Sequence, residues 1–231
     1  MRLSSLTLVM GLIFGLLPHA AAAADLFADG QGSADFAIFP GWTRVVAEYR
    51  KEAAEEAQPQ KAKTPCANPQ DCRLREWTSF LRTTAKLGRD QQLDAVNKWI
   101  NTRPYTEDWA NWGLPDYWET PAEFLTRGGD CEDYAIVKYF SLVALGFAPD
   151  DLRILVVRDT NLEIFHAVLA VHERGNTLLL DNQIAQPVPV ALASHYSPIY
   201  SLNERGWWLA AQPQVAANQP GLTQIFASAG K

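Results

Sequence analysis

The chain has 231 residues, 48% of them hydrophobic, with 20 basic against 26 acidic side chains and a formal net charge of −6. This is the content of a folded globular protein, not of a disordered one. The acidic balance, with no basic stripe to meet phosphates, excludes a nucleic-acid role, and the length suits one domain with a real core.

The N-terminus reads as an export signal. Arg2 supplies a positive start, Leu3 to Leu17 is a short apolar run, and Ala20 to Ala24 offers a small-residue cleavage site before Asp25. The run is shorter than the roughly 20 apolar residues that span a bilayer, and no later stretch is apolar enough to do so. The expected organisation is a signal over 1–24, one domain over 25–211 and a polar, Pro-interrupted tail over 212–231. An uncleaved N-terminal anchor is the alternative.

Residues 43–57 read as an amphipathic helix, followed by a polar linker from Gln58 to Pro65. Residues 73–87 form a second helix with Leu74, Trp77, Leu81 and Phe80 towards one face. Asp90 is expected to cap a third, which buries Leu93, Val96 and Ile100. An irregular aromatic stretch runs from Tyr105 to Trp118, and either packs in the core or lines a substrate or partner surface. Thr120-Pro121-Ala122-Glu123 then combines a cap, a first-turn proline and a capping box. Gly128-Gly129 stops that short helix, and Asp130 caps the next, Cys131 to Leu145, which ends at Gly146.

Beyond this point the hydrophobic period changes to two. Strands are expected at Leu152 to Val157, Ile164 to His172, Thr177 to Asp181, Ile199 to Leu202 and Trp207 to Ala210. Helices first and antiparallel strands second predict an α+β fold.

Cys66 and Cys72 flank a turn-rich stretch and can pair in an oxidising compartment. Cys131 is left over, which makes it an intermolecular partner, a buried structural thiol or a reactive one. Its position at the start of a helix entered through two glycines favours reactivity, because free N–H groups and the helix dipole stabilise a thiolate there. The same N–H groups can hold an oxyanion.

A thiolate needs a base, and the base an orienting group. His166 lies inside an apolar strand, where it is either functional or a satisfied core residue. His172 and His195 lie at a turn and in a loop. Pairing His172 with Thr177 across a four-residue loop, Glu173 to Asn176, sets Asp181 opposite Val168 and diagonal to His166 on one face. A one-residue slip would separate them.

Asp130, Glu132 and Asp133 flank the nucleophile and oppose its ionisation. Either they cap the helix, or they hold a hard cation such as Ca²⁺ that neutralises them.

The run from Asp116 through Gly-Gly-Asp-Cys-Glu-Asp-Tyr-Ala to Leu145, with His166-Ala167-Val168-Leu169 and Leu180-Asp181-Asn182 downstream, resembles the bacterial transglutaminase-like cysteine proteinases, the periplasmic LapG-type enzymes. The likeness covers approximately residues 74–210. It implies a papain/transglutaminase-like core with the nucleophile helix packed on an antiparallel sheet, and a triad of Cys131, His166 and Asp181. It also implies calcium held by Asp130, Glu132 and Asp133. The implied substrate is a large surface adhesin, cut near its N-terminus beside a dialanine site. The implied partner is the periplasmic domain of an inner-membrane receptor for cyclic di-GMP, so that the enzyme controls biofilm attachment. One oxyanion donor is the Cys131 backbone N–H. The second is the Trp118 indole by analogy with transglutaminases, unless Trp118 is an aromatic core residue. Acyl transfer to an amine and a non-catalytic, calcium-dependent binding module are the alternatives to proteolysis.

Overall fold

The computed structural model describes residues 31–57 and 65–210. The expected signal (1–24), most of the linker and the tail (212–231) lie outside the described residues. Among those residues six α-helices lie between a two-residue first strand and a run of six more: α1 Pro40–Glu56, α2 Pro69–Thr84, α3 Arg89–Ile100, α4 Asp108–Trp112, α5 Pro121–Arg127 and α6 Cys131–Ala144. The strands are β1 Gly32–Ser33, β2 Leu152–Asp159, β3 Ile164–Glu173, β4 Asn176–Leu180, β5 Val188–Pro189, β6 Tyr196–Leu202 and β7 Trp207–Leu209. They form one antiparallel sheet in the order β1-β7-β6-β2-β3-β4-β5. The fold is α+β and transglutaminase-like, with α6 packed on β3 and β2.

Local chemistry sets the boundaries. α1 and α2 each begin a few residues earlier than the apolar period suggests, because Pro40 and Pro69 occupy their first turns. Asn68 caps α2, its Oδ1 accepting from the Asp71 N–H at 2.8 Å. The residue before α3 is Gly88, so Asp90 lies in the first turn and not at the cap. Thr120 and Glu123 form the expected reciprocal box at α5, at 3.3 and 2.8 Å. The aromatic stretch holds a single short helix, α4, ended by Gly113 at φ +67°. Cys66 and Cys72 are disulfide-bonded, with their Cα atoms 5.2 Å apart.

The hairpin between β3 and β4 is tighter than expected. Arg174 and Gly175, both at positive φ, make a two-residue turn, the geometry that matches strand twist. Glu173 therefore still pairs with Asn176, and His172 with Thr177, which is the expected register.

The core fills the space between the helices and one sheet face. Trp42 of α1 stacks on Phe140 of α6 at 5.8 Å and meets Tyr139 edge-on at 5.6 Å. Its indole N–H donates to the Asn203 carbonyl at 3.2 Å. Leu93, Val96 and Ile100 of α3 are fully buried. A smaller cluster, including Leu155, Val157, Val168 and Leu179, covers the opposite sheet face. Among the described residues no helix is long and apolar enough to cross a membrane.

Trp42→Ala removes a fully packed indole and is expected to cost about 3–5 kcal/mol of stability, read by urea denaturation. A loss below about 1 kcal/mol would mean that α1 does not anchor the core.

Candidate active site

Cys131 opens α6, and two glycines bring the chain to it. Gly128 has φ +79°, and a Cβ there would meet the Pro104 carbonyl oxygen at 2.2 Å. A Cβ on Gly129 would meet Asp133 Oδ2 at 2.3 Å. Both positions need glycine, one for backbone conformation and one for close approach. The Asp133 carboxylate is fully buried and organises the corner. Its Oδ1 accepts from the Glu119 N–H at 2.7 Å and its Oδ2 from the Asp130 N–H at 3.1 Å.

The thiol donates to Glu132 Oε2 at 3.2 Å, and the Ala167 backbone hydrogen-bonds the sulfur. Burial pushes the thiol pKa far up, and the charges of Glu132 and Asp130 push it further; the Ala167 contact opposes them. This electrostatic setting opposes thiolate formation.

His166, on β3, is 3% exposed. Its Nε2 lies 3.0 Å from Asp181 Oδ1. Asp181 follows the last residue of β4 and is 0% exposed. Besides His166, its carboxylate accepts from Tyr196 Oη at 2.5 Å and from the Gln183 N–H at 2.8 Å. Burial would raise its pKa, but the bond to His166 and the imidazole's charge, with Tyr196 and Gln183, hold it below the usual carboxylate range. Asn101 of α3 donates to the Asp181 carbonyl at 2.8 Å and so ties the segment after β4 to the helices.

Cys131 and His166 line one cavity of about 830 Å³, together with Ala167, Tyr200 and Trp118. The other two described histidines lie outside this lining. His172 Nδ1 pairs with Thr177 Oγ1 at 3.3 Å, and the His195 ring packs on Tyr196 at 4.2 Å.

The carboxylates around the nucleophile extend further than Asp130, Glu132 and Asp133. Asp108 of α4 and Asp116 of the following loop join them. Within 4.8 Å, ligand atoms group as Asp108, Asp116 and Glu132, as Asp108, Asp130 and Asp133, and as Asp130, Cys131 and Glu132. Asp108 Oδ1 and Asp130 Oδ1 are buried without a hydrogen-bond partner. Burial and then Asp130 push the Asp108 pKa up to about 6, and burial pushes Glu119 up to about 7. Buried orphan oxygens on clustered carboxylates are a donor set that suits a hard divalent cation.

Trp118 lines the cavity, but its indole N–H donates to Asp116 Oδ1 at 3.2 Å. That bond engages the indole N–H with a neighbouring carboxylate, a strong acceptor. The rest of the aromatic stretch divides. Trp112 packs tilted against Tyr117 at 4.4 Å and bonds Glu119, whereas Trp109 is 71% exposed.

Sequence reasoning missed Asp108, Asp116, Asn101, Tyr196 and Lys138. Asp108 and Asp116 were visible as acids among aromatics, but nothing local marked them as neighbours of Glu132. Lys138 is fully buried two turns along α6 from Cys131, and its ammonium has no hydrogen-bond partner among the described residues. Burial pulls its pKa down to about 7 against the opposing pull of Asp181.

The profile of the bacterial transglutaminase-like cysteine proteinases matches residues 52–214. Three solved structures from Legionella pneumophila are similar. LapG is 32% identical over 71% of this chain and 87% of its own, with a TM-score of 0.57. EGTA-treated LapG is 31% identical over 74% and 88%, with a TM-score of 0.58. Calcium-bound LapG is 30% identical over 79% and 97%, with a TM-score of 0.57. None of the curated proteins compared matches the chain. A profile that spans most of the chain, and solved structures at least 30% identical to it, lead to one conclusion: the chain belongs to the bacterial transglutaminase-like cysteine proteinases and is a cysteine protease.

Proposed function

We propose that the chain is a calcium-dependent endopeptidase with Cys131 as nucleophile, His166 as base and Asp181 as the group that orients the imidazole. The observation that supports this reading is the buried His166–Asp181 pair, 3.0 Å apart, whose imidazole lines the cavity that also holds Cys131. With Nε2 engaged by Asp181, Nδ1 is left to take the thiol proton. The sulfur attacks the substrate carbonyl, and the oxyanion forms beside the Cys131 N–H in the first turn of α6, where backbone donors have no intrahelical partner. The imidazolium returns its proton to the leaving amine, and water resolves the acyl-enzyme.

A calcium ion held by Asp130 and Glu132, with Asp108, Asp116 and Asp133 as further candidates, would supply the countercharge that lets the thiol ionise. The calcium-bound and EGTA-treated forms of the Legionella protein support this choice of metal. The substrate we propose is a large surface adhesin, cut near its N-terminus beside small residues. The proposed partner is the periplasmic domain of a membrane receptor for cyclic di-GMP. The export signal that ends before Asp25 supports a periplasmic location.

Cys131→Ala is expected to leave cell-surface adhesin uncut when new N-termini are mapped by mass spectrometry, while wild type cuts it; cleavage by the variant would refute the nucleophile. Asp181→Asn keeps the shape but loses the anion, and is expected to lower turnover by about 10³–10⁴-fold. A loss under about tenfold would leave Asp181 a structural residue only.

The raised carboxylates also set a pH dependence. Unfolded carboxyls titrate near 4, whereas Asp108 and Glu119 hold protons to about 6 and about 7 in the folded chain. Their contribution is fully present below the unfolded pKa and is lost as pH rises through those folded values. In EGTA the thermal midpoint is expected to fall between pH 5 and pH 7.5. Calcium binding to the folded ligand set should reverse the fall, so the gap between calcium and EGTA should widen towards pH 7.5. An equal gap at both would separate the metal from these carboxylates.

A further inference from the structure

The cavity has several side-chain donors on its wall, and nearly all are already engaged. The Trp118 indole donates to Asp116, and the Trp42 indole to the Asn203 carbonyl. Tyr117 Oη donates to Glu123 Oε1 at 2.9 Å, and Arg44 is held by Glu123 and the Trp118 carbonyl. His166 is paired with Asp181. Tyr200 is the exception: it lines the cavity, and its hydroxyl makes no hydrogen bond among the described residues.

The sheet places Tyr200 on the same face as the residue that contacts the nucleophile. Val156 of β2 is paired on one side with Ala167 of β3 and on the other with Tyr200 of β6. Directly opposed residues share a sheet face, and here it is the helix-facing one, where Tyr200 packs against the main core. Ala167 is the residue whose backbone hydrogen-bonds the Cys131 sulfur. Adjacent strands lie about 4.8 Å apart, so the Tyr200 backbone lies two strand spacings from that of Ala167, and both residues line the cavity together with Cys131. Phe39 packs on its ring at 5.2 Å and holds it from the side. A phenol is an un-ionised donor at neutral pH. Here burial, then the charges of Glu132, Asp116 and Cys131, push its pKa further up.

We propose that the Tyr200 hydroxyl is a catalytic donor, the side-chain partner of the Cys131 backbone N–H in holding the oxyanion. This rests on the reading of Cys131 as the nucleophile. When the sulfur attacks, the C–S bond forms and the carbonyl π pair moves onto oxygen. Tyr200 donates a hydrogen bond to that oxygen and keeps its proton. The pair then returns to re-form the carbonyl as the C–N bond breaks, and the amine leaves with the proton from His166. Tyr is among the side chains that serve as oxyanion donors, and removing one such donor typically costs about 10²–10³-fold in turnover.

The test compares Tyr200→Phe with wild type in calcium by three measurements. The first is turnover of an Ala-Ala aminomethylcoumarin amide. The second is inhibition by Ala-Ala aldehyde, whose thiohemiacetal carries the same oxygen, against the corresponding alcohol. The third is the rate of Cys131 alkylation by iodoacetamide, which forms no oxyanion. The expected result is a fall in kcat of about 10²–10³-fold with KM little changed. Aldehyde binding should weaken with alcohol binding unaffected, and alkylation should stay at the wild-type rate. Where folding is impaired or the amide is too short to be cut, the aldehyde-to-alcohol ratio decides alone. Unchanged turnover and aldehyde binding would overturn the proposal. So would alkylation that slows in step with turnover, because Tyr200 would then act on the thiol. Cleavage by Cys131→Ala would instead overturn the nucleophile, whatever Tyr200 does.

Discussion

The thiol of Cys131 lies where two electrostatic effects oppose each other. The N-terminus of α6 favours an anion, but by only about 1–2 kcal/mol at most. Against it stand Glu132, hydrogen-bonded to the sulfur at 3.2 Å, and Asp130 next in sequence. A single like charge at about 4 Å costs about 4 kcal/mol even at an effective dielectric near 20. Where these carboxylates are ionised they outweigh the helix end, and they oppose the thiolate until they are neutralised in turn. Protons can do that, as the raised pKa values of Asp108, Asp130 and Glu119 indicate. So can a divalent cation, which leaves the site anion-tolerant at neutral pH. On the proposed reading, the acidic cluster makes the reactivity of Cys131 conditional on countercharge.

The sheet supplies what the helix tip lacks. His166 and Asp181 share a face because the Arg174–Gly175 turn fixes the register of β3 and β4. A slip of one residue would turn Asp181 to the other side. Tyr196 and Gln183 fill the remaining acceptor sites of the carboxylate, and Asn101 holds its backbone from α3. These contacts join three separate segments, so the imidazole is oriented by the whole fold and not by one loop.

Much of this was legible in the sequence because it is local. Caps, a first-turn proline and paired glycines announce the helices at 121 and 131, and alternation announces the strands. The register could be counted back from the turn, even though the loop proved two residues long and not four: removing the outermost pair from the loop leaves every inner pair unchanged. Asp108 and Asp116 were not legible, since their meeting with Glu132 depends on how an irregular loop folds back on α6. Lys138 was not legible either, since its burial follows from α6 being enclosed nearly all round. Asn101 and Tyr196 act on Asp181 from 80 and 15 residues away, and no spacing rule reports such pairs. Trp118 shows the converse: analogy matched its indole to a role, while its partner here, Asp116, stood two residues before it.

The central claim is that countercharge in the acidic cluster controls ionisation of the Cys131 thiol. The most direct measurement is the pH dependence of Cys131 labelling by iodoacetamide, followed by mass spectrometry of the intact protein, in calcium and in EGTA. The account predicts a labelling curve that rises at markedly lower pH in calcium than in EGTA. Superimposable curves would contradict it.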